Sequence, residues 1–539
     1  MRAPLLVFAL LSSGLVVSAK PSIPNDDRAI IHTLNRLGYG ARPGDVALVR
    51  ASGLPAWIEQ QLHPERIAND ALDQRLAPLT TLTLDALTIT RDYDAPVIAE
   101  RKQRQRDGTD RVDTGEPGLT AAARQPSEAQ RKNRLVLSEL AEGKVLRAVY
   151  SERQLEEVLV DFWFNHFNVF AGKGPTRNYV TAYERDAIRP HVLGQFRDLL
   201  EASATSPAML FYLDNWQNTS PAAGTKTAPA APRQLRRGRG GLPPRVSPPR
   251  PKAAAGKAAA RGLNENYARE LMELHTLGVE GGYTQKDVVD VARAFTGWTM
   301  RPREGTGFMF VAARHDRGEK HVLGHVIKAG GDRSDGEQVL DILAAHPSTA
   351  RFIAFKLAQR FISDTPPPAV VSRAAAVFRA THGDLREVVR AIVTAPEFFA
   401  PPAYRATVKT PLEFVASALR ATGTDVRRAQ PLVKTLRDLG MPLYFCQPPT
   451  GYDQTADAWV SSGLLVGRMN FALALAGGRL GGVTTPQGED PDLDAVRARL
   501  VAGLLGGDVS PATSATLAKA TSAEQLTALA LAAPEFQRQ

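Results

Sequence analysis

Apolar side chains recur at three- and four-residue steps over most of the chain, the spacing that turns one stripe of a helix toward a core. The pattern predicts helices over 134–150, 151–170, 176–201, 264–277, 284–298, 335–345, 349–362, 368–380, 384–394, 411–421, 429–438, 460–476, 491–504 and 522–532. Nearer the start, "DDRAIIHTLNRLGYG" reads as a helix closed by Gly38, and "PGDVALVRASGLPAWIEQQLHPE" as two short helices broken at Gly53. Strand-like text is scarce. Its best instance is "FMFVAARHDRGEKHVLGHVI", two apolar runs around a polar turn, so the expected fold is all-α: a multi-helix body with a small β-hairpin insertion near 308–327. Two apolar helices end alike, in "IVTAPEF" and "ALAAPEF", which hints at a duplicated helical unit.

With 539 residues, 43% of them apolar, the chain can bury a sizeable core or more than one. "MRAPLLVFALLSSGLVVSAK" has a positive start, an apolar run from Leu5 to Val17 and a small-residue ending, which predicts a signal peptide over 1–19 and export to the periplasm or beyond. The run falls short of the roughly 20 residues needed to cross a bilayer, so an integral membrane protein is not expected. Residues 20–100 read as an N-terminal helical portion, 101–134 as a charged linker and 135–539 as the main helical domain. Within that domain, 218–261 is rich in Pro, Ala, Gly and Arg and is expected to be a disordered basic insert.

The net charge of +10 belongs to that insert. Ten of the 66 Lys and Arg residues lie between Asn215 and Asn264, where there is no Asp or Glu, and the other 56 match the 56 acidic residues. The folded part is therefore neutral, which argues against nucleic acid as a partner. A single cysteine, Cys446, excludes an intramolecular disulfide, and its setting in "LYFCQPPTGY" predicts a buried, inert thiol.

Plotting residues at about 100° per step shows which polar groups face inward. In "NENYARELMELHTLG", Glu270 falls inside the arc of Leu263, Tyr267, Leu271, Leu274 and Leu277, with Asn266 and Glu273 at its edge. Glu265, Arg269 and Thr276 form a wet face, and His275 lies beyond the far edge. In "LEEVLVDFWFNHFNVF", His166 sits among Phe162, Trp163 and Phe167, while Glu157, Asp161, Asn165 and Asn168 share the opposite side. "RHDRGEKHVLGH" supplies His315 and Asp316 at the expected hairpin tip. Asp214 and Asn215 in "YLDNWQN" precede the insert, which returns the chain directly to Asn264. "YERDAIRPH" adds Glu184, Arg185, Arg189 and His191.

Glu-x-x-His, His-Glu-x-x-His, Gly-x-Ser-x-Gly and the phosphate-binding Gly-x-x-x-x-Gly-Lys-Ser/Thr pattern are all missing. What remains is a Glu/His/Asp/Asn set. It suits a hard or mixed metal site, with a divalent metal as the candidate cofactor, or two carboxylates acting on a polar substrate such as a glycan. In the enzyme reading Glu270 or Glu273 is base or metal ligand, His166 a ligand or proton shuttle, and His315 with Asp316 the acid side. Asn266, Asp214, Asn215 and Arg269 would hold substrate.

Taken together, "FWFNHFNV", "YERDAIRPHVLGQFRDLL", "SPAMLFYLDN", "NENYARELMELHTLGVEGGYTQKDVVDVARAFTGW", "HDRGEK", "HPSTARFIAFKLAQRFISD" and "VKTPLEFVASALRATG" resemble the bacterial family of domain of unknown function 1800 from about Asp27 onward. The resemblance implies an exported, mostly helical protein and brings no established activity. It suggests an envelope polysaccharide or an exported sulfatase-like protein as partner. The basic insert, and Cys446 where an aromatic such as tryptophan is expected, are departures from the family pattern. The expectation is an exported hydrolase acting on a polar or polysaccharide-type envelope substrate. The alternative is a non-enzymatic envelope binding or assembly protein whose inward polar residues are structural.

Overall fold

A computed structural model describes residues 23–107, 125–221, 262–486 and 492–539. The expected signal peptide, the middle of the charged linker and all but the first residues of the basic insert lie outside the described residues.

The described chain is a multi-helix body with small two-stranded sheets, as the periodicity implies. Local sequence sets several helix starts. Ser127 and Gln130 form a reciprocal cap on the Glu128–Tyr150 helix, and Thr410 with Glu413 does the same for Pro411–Ala421. The latter helix is buried on nearly every side, from Pro411 to Arg420. One apolar core runs from Ala29 to Phe536. The N-terminal Asp27–Arg36 helix docks on it through polar bonds as well. His32 Nε2 lies 2.9 Å from the Phe398 carbonyl, and Arg36 donates to the carbonyls of Ile362 and Ala403. The two Ala-Pro-Glu-Phe endings act alike: an extended alanine, 395 or 533, stops the helix, and the proline starts a short turn that drives Phe398 or Phe536 back into the core.

Two expected helices are not uniform. The 176–201 pattern is a Thr176–Ala182 helix, a wider π turn over Tyr183–Ile188, a short turn at Arg189–His191, and a new helix from Phe196 to Thr205. Pro190 cannot donate to the ladder and stops the first run. Similarly, Asn266–Glu270 is α-helical but Leu271–Thr276 is a π turn.

The hairpin insertion is present, with arms that differ from expectation. Strand β1 (Trp298–Thr299) pairs with β2 (Met309–Phe310), and β3 (Lys320–Val322) pairs with β4 (His325–Ile327), both antiparallel. Leu323 and Gly324 both take positive φ, which closes β3 onto β4 in a two-residue turn. The apolar run at 308–310 therefore pairs backward to Trp298. His315 and Asp316 lie in the connection between the two hairpins, not at a flap tip.

The side of the Gln154–His166 helix opposite its aromatic face is largely covered too, with Asp161 and Asn165 half-buried. Lys144 Nζ lies 2.8 Å from Asp161 Oδ1 and 3.5 Å from Glu184 Oε2. Arg189 clamps Glu157 through two bonds of 2.9 Å, and Tyr444 donates to Glu184 Oε2 at 2.7 Å. Lys144, Glu157 and Glu184 are buried, and the ammonium also faces the rings of Phe164 and Tyr444. Burial is the largest influence on Glu184 and opposes its charge, yet Lys144 and then Arg189 hold its pKa below the ordinary 4.5.

Replacing Lys144 by Met takes the cation from Asp161 and leaves Glu184 with Tyr444 and Arg189 alone, and is expected to cost about 3 kcal/mol of stability. Urea denaturation at pH 7 reads this, and a loss below about 1 kcal/mol would contradict it. Because the folded pKa of Glu184 is depressed, its contribution is complete above the unfolded value near 4.5 and fades as pH falls through the lower folded value. The acid-induced loss of stability should accordingly be smaller in Lys144→Met.

Candidate functional site

His166 ends its helix inside an aromatic cage, edge-on to Trp163 at 5.4 Å and to Phe167 at 4.7 Å. This is the face that helical geometry assigns it. Its Nε2 donates to the His275 carbonyl at 3.1 Å, which assigns the ring proton to Nε2 and leaves Nδ1 as an acceptor. Burial, with Lys356 adding to it, pushes the His166 pKa down to about 3. The imidazole is neutral throughout the physiological range.

His275, expected beyond the apolar arc, is buried against His166 with ring centroids 6.4 Å apart. The reason is the π turn over Leu271–Thr276. With hydrogen bonds spanning five residues instead of four, each step turns less than an α-helix assumes, and the error accumulates by residue 275. Burial and then His166 push the His275 pKa down to about 3.

Beside His166 opens a cavity of about 130 Å3, lined by Phe162, Asn165, Phe352, Lys356 and Gln454 among others. At roughly 30 Å3 per water it holds a few solvent molecules or one small ligand group. Lys356 forms no ion pair within the described residues, and burial lowers its pKa against the pull of Asp453. Helical patterning alone does not single it out, although a signal exists: in "RFIAFKLAQRF", Phe352, Lys356 and Arg360 follow at four-residue steps on one face.

Glu270 and Glu273 lie side by side, both half-buried, and neither lines this cavity. Burial and then Glu273 raise the Glu270 pKa. Glu270 meets no cation within ion-pair distance among the described residues, whereas Glu273 accepts from the Tyr283 hydroxyl at 3.1 Å. Arg269 turns away to Gln285 and Glu265.

The residues expected to hold substrate instead fasten the chain around the insert. Asn215 is buried and donates to the Trp298 carbonyl at 3.2 Å, and Asn266 donates to the Leu213 carbonyl at 3.1 Å. Asp214 pairs with Lys173 at 2.8 Å. Asn218 Oδ1 accepts from the Asn264 amide at 2.9 Å, so the chain leaves and re-enters the body at one place.

The "HDRGEK" stretch is a closed clamp. His315 Nε2 lies 3.0 Å from Asp335 Oδ2, and Nδ1 2.8 Å from the Thr296 carbonyl. Lys320 Nζ donates to Asp335 Oδ2 at 2.7 Å and to the carbonyls of Asp316 and Gly318 at 2.6 and 2.9 Å, which uses all three protons. The side chains of His315, Lys320 and Asp335 are each no more than 1% exposed. A Cβ at Gly331 would lie 1.8 Å from Asp335 Oδ1, so only glycine fits there. Arg293 grips Asp316 with two nitrogens and, against the larger opposing effect of burial, holds its pKa below the ordinary value. His315 and Asp316 are thereby held apart from the His166 cavity, whose lining includes neither.

Among the described residues, no three His, Cys, Asp or Glu side chains come together so as to hold a metal ion. Cys446 is buried, and burial pushes its thiol up to about 11.

A family model described as Protein of unknown function (DUF1800) matches residues 32–538. No curated protein and no solved structure matches.

His166 gives this geometry a measurable consequence. Its folded pKa of about 3 lies below the unfolded 6.5, so the unfolded chain takes up the proton first and stability falls as pH drops between those values. The share due to His166 is about 2 kcal/mol between pH 7 and pH 5. In His166→Phe the difference between urea-unfolding free energies at the two pH values should shrink by about that amount. An unchanged difference would mean that His166 is not buried neutral.

Proposed function

The chain belongs to the DUF1800 family of proteins of unknown function, and from the arrangement of its polar groups we propose that it acts in the cell envelope by binding or assembling a partner, not by hydrolysis. One observation carries this reading: apart from Glu270 and Glu273, the groups expected to do acid–base work or hold substrate are engaged in separate clusters. His315 is locked to Asp335, Asp316 to Arg293, and Asn215 and Asn266 to backbone carbonyls. His166 holds a proton too weakly to act as a general base near neutral pH. The envelope setting rests on the leader-like start of the sequence, and among the described residues no helix is long and apolar enough to cross a membrane. An envelope polysaccharide or an exported sulfatase-like protein is the partner class that the family resemblance suggests.

One feature favours the hydrolase as a second reading. Glu270 has a raised pKa and, among the described residues, no cation within ion-pair distance beside the second carboxylate, Glu273, which is how a general acid and its companion are poised.

The Glu270→Gln variant separates the two readings. On the binding reading it restores whatever phenotype the wild-type gene restores in a deletion strain, and neither protein releases new reducing ends from envelope polysaccharide. Release by the wild type that Glu270→Gln abolishes, at an unchanged melting temperature, would establish the hydrolase instead.

A further inference from the structure

A groove of about 640 Å3 runs between the Glu128–Tyr150 and Gln430–Asp438 helices and shares no lining residue with the His166 cavity. Each helix presents one stripe to it, Arg134 to Ala141 on one side and Gln430 to Arg437 on the other, about 10 Å long at 1.5 Å per residue. Arg134, Arg177, Arg428, Lys434 and Arg437 all line it, and among the described residues no Asp or Glu does. Of the five, only Lys434 has a carboxylate partner among the described residues, Asp438 at 2.6 Å. Of the acids on the first helix, Glu139 turns to Thr81 and Glu142 accepts from Ser138, and neither is in the lining. Outside the basic insert the sequence holds equal numbers of acidic and basic residues, so four arginines with no carboxylate partner among the described residues, beside Lys434, are a local concentration.

The floor is apolar. Leu137 and Val433 contribute to it, and Phe445, packed edge-on against Phe170, is left 40% exposed. Cations set on an apolar concave wall focus their field into the groove. Guanidinium groups match phosphate oxygens two at a time, so several arginines favour a multiply charged phosphate over a lone carboxylate. An inorganic ion would satisfy the arginines and leave the floor wet. The volume, meanwhile, falls in the roughly 300–1,000 Å3 range of small-molecule sites.

We propose that this groove binds a phosphate-bearing amphiphile, its charged group held by Arg134 and Arg437 and its apolar body laid on Phe445 and Val433. The inference rests on the binding reading of the protein and supplies a ligand class for it.

The test is calorimetric titration of the full chain with dihexanoyl phosphatidic acid below its micelle concentration, with dihexanoyl phosphatidylcholine and inorganic phosphate as controls. Saturable binding of the phosphatidic acid is expected, tighter than phosphate alone, with none of the phosphatidylcholine. Both arginines are exposed, so the Arg134→Glu, Arg437→Glu double variant should keep the wild-type melting temperature and lose about tenfold or more in affinity. Phe445→Ala should weaken the amphiphile and leave phosphate unaffected. Equal binding of phosphate and amphiphile would overturn the proposal, as would undiminished binding by the double variant. So would binding to phosphatidic acid vesicles alone, or tighter binding of a single-stranded oligonucleotide. Binding followed by release of phosphate would keep the groove and remove the binding-only reading. No binding would remove the groove and leave that reading standing.

Discussion

A lysine in the middle of a buried helix must be answered wherever its ammonium points, and Lys144 is answered by three separate segments. Asp161 comes from the next helix, Glu184 from the π turn, and Tyr444, whose ring faces the ammonium while its hydroxyl donates to Glu184, from the connection that follows the Gln430–Asp438 helix. Arg189 extends the set to Glu157. None of these pairings tolerates much displacement, because a buried charge without its partner is far more costly than a gap between two apolar side chains. The network therefore fixes the angle of the Gln154–His166 helix, and with it the place of His166 on the opposite side. Phe162, Asn165 and His166, which line the cavity, belong to the helix that these ions hold.

Much of the helical body is legible in periodicity, and the departures within helices have a common cause. Periodicity assumes a constant turn per residue. Leu271–Thr276 breaks that assumption, which is why helical geometry puts His275 outside the arc and the fold puts it inside. Tyr183–Ile188 breaks it again, and the widened turn is what lets Glu184 face Lys144. The hairpin departs from expectation for a different reason. Apolar runs show which segments are strands and not which strands pair, and the Leu323–Gly324 turn pairs its neighbours with each other while the run at 308–310 pairs with Trp298 and Thr299.

The candidate site is legible residue by residue more than as an assembly. His166 lies on the face that helical geometry gives it, and Glu270 and Glu273 are half-buried at the core edge. His315 stands out for its chemistry, but its burial depends on Asp335, a residue twenty positions away that no local pattern connects to it. Lys356 and Lys144 escape notice because a lysine within an apolar stripe reads as the stripe's polar edge. Only tertiary packing shows that the chain continues over it.

The bond between Asn218 and Asn264 has a consequence for how this protein can change over time. Entry and exit of the intervening segment meet at one point, held by side chains that belong to the body. A flexible loop inserted between such fixed ends adds only about 0.6 kcal/mol for each doubling of its length. The body is thus largely indifferent to what is written there. This position is a socket, where sequence can be lengthened, recharged or exchanged without renegotiating the core.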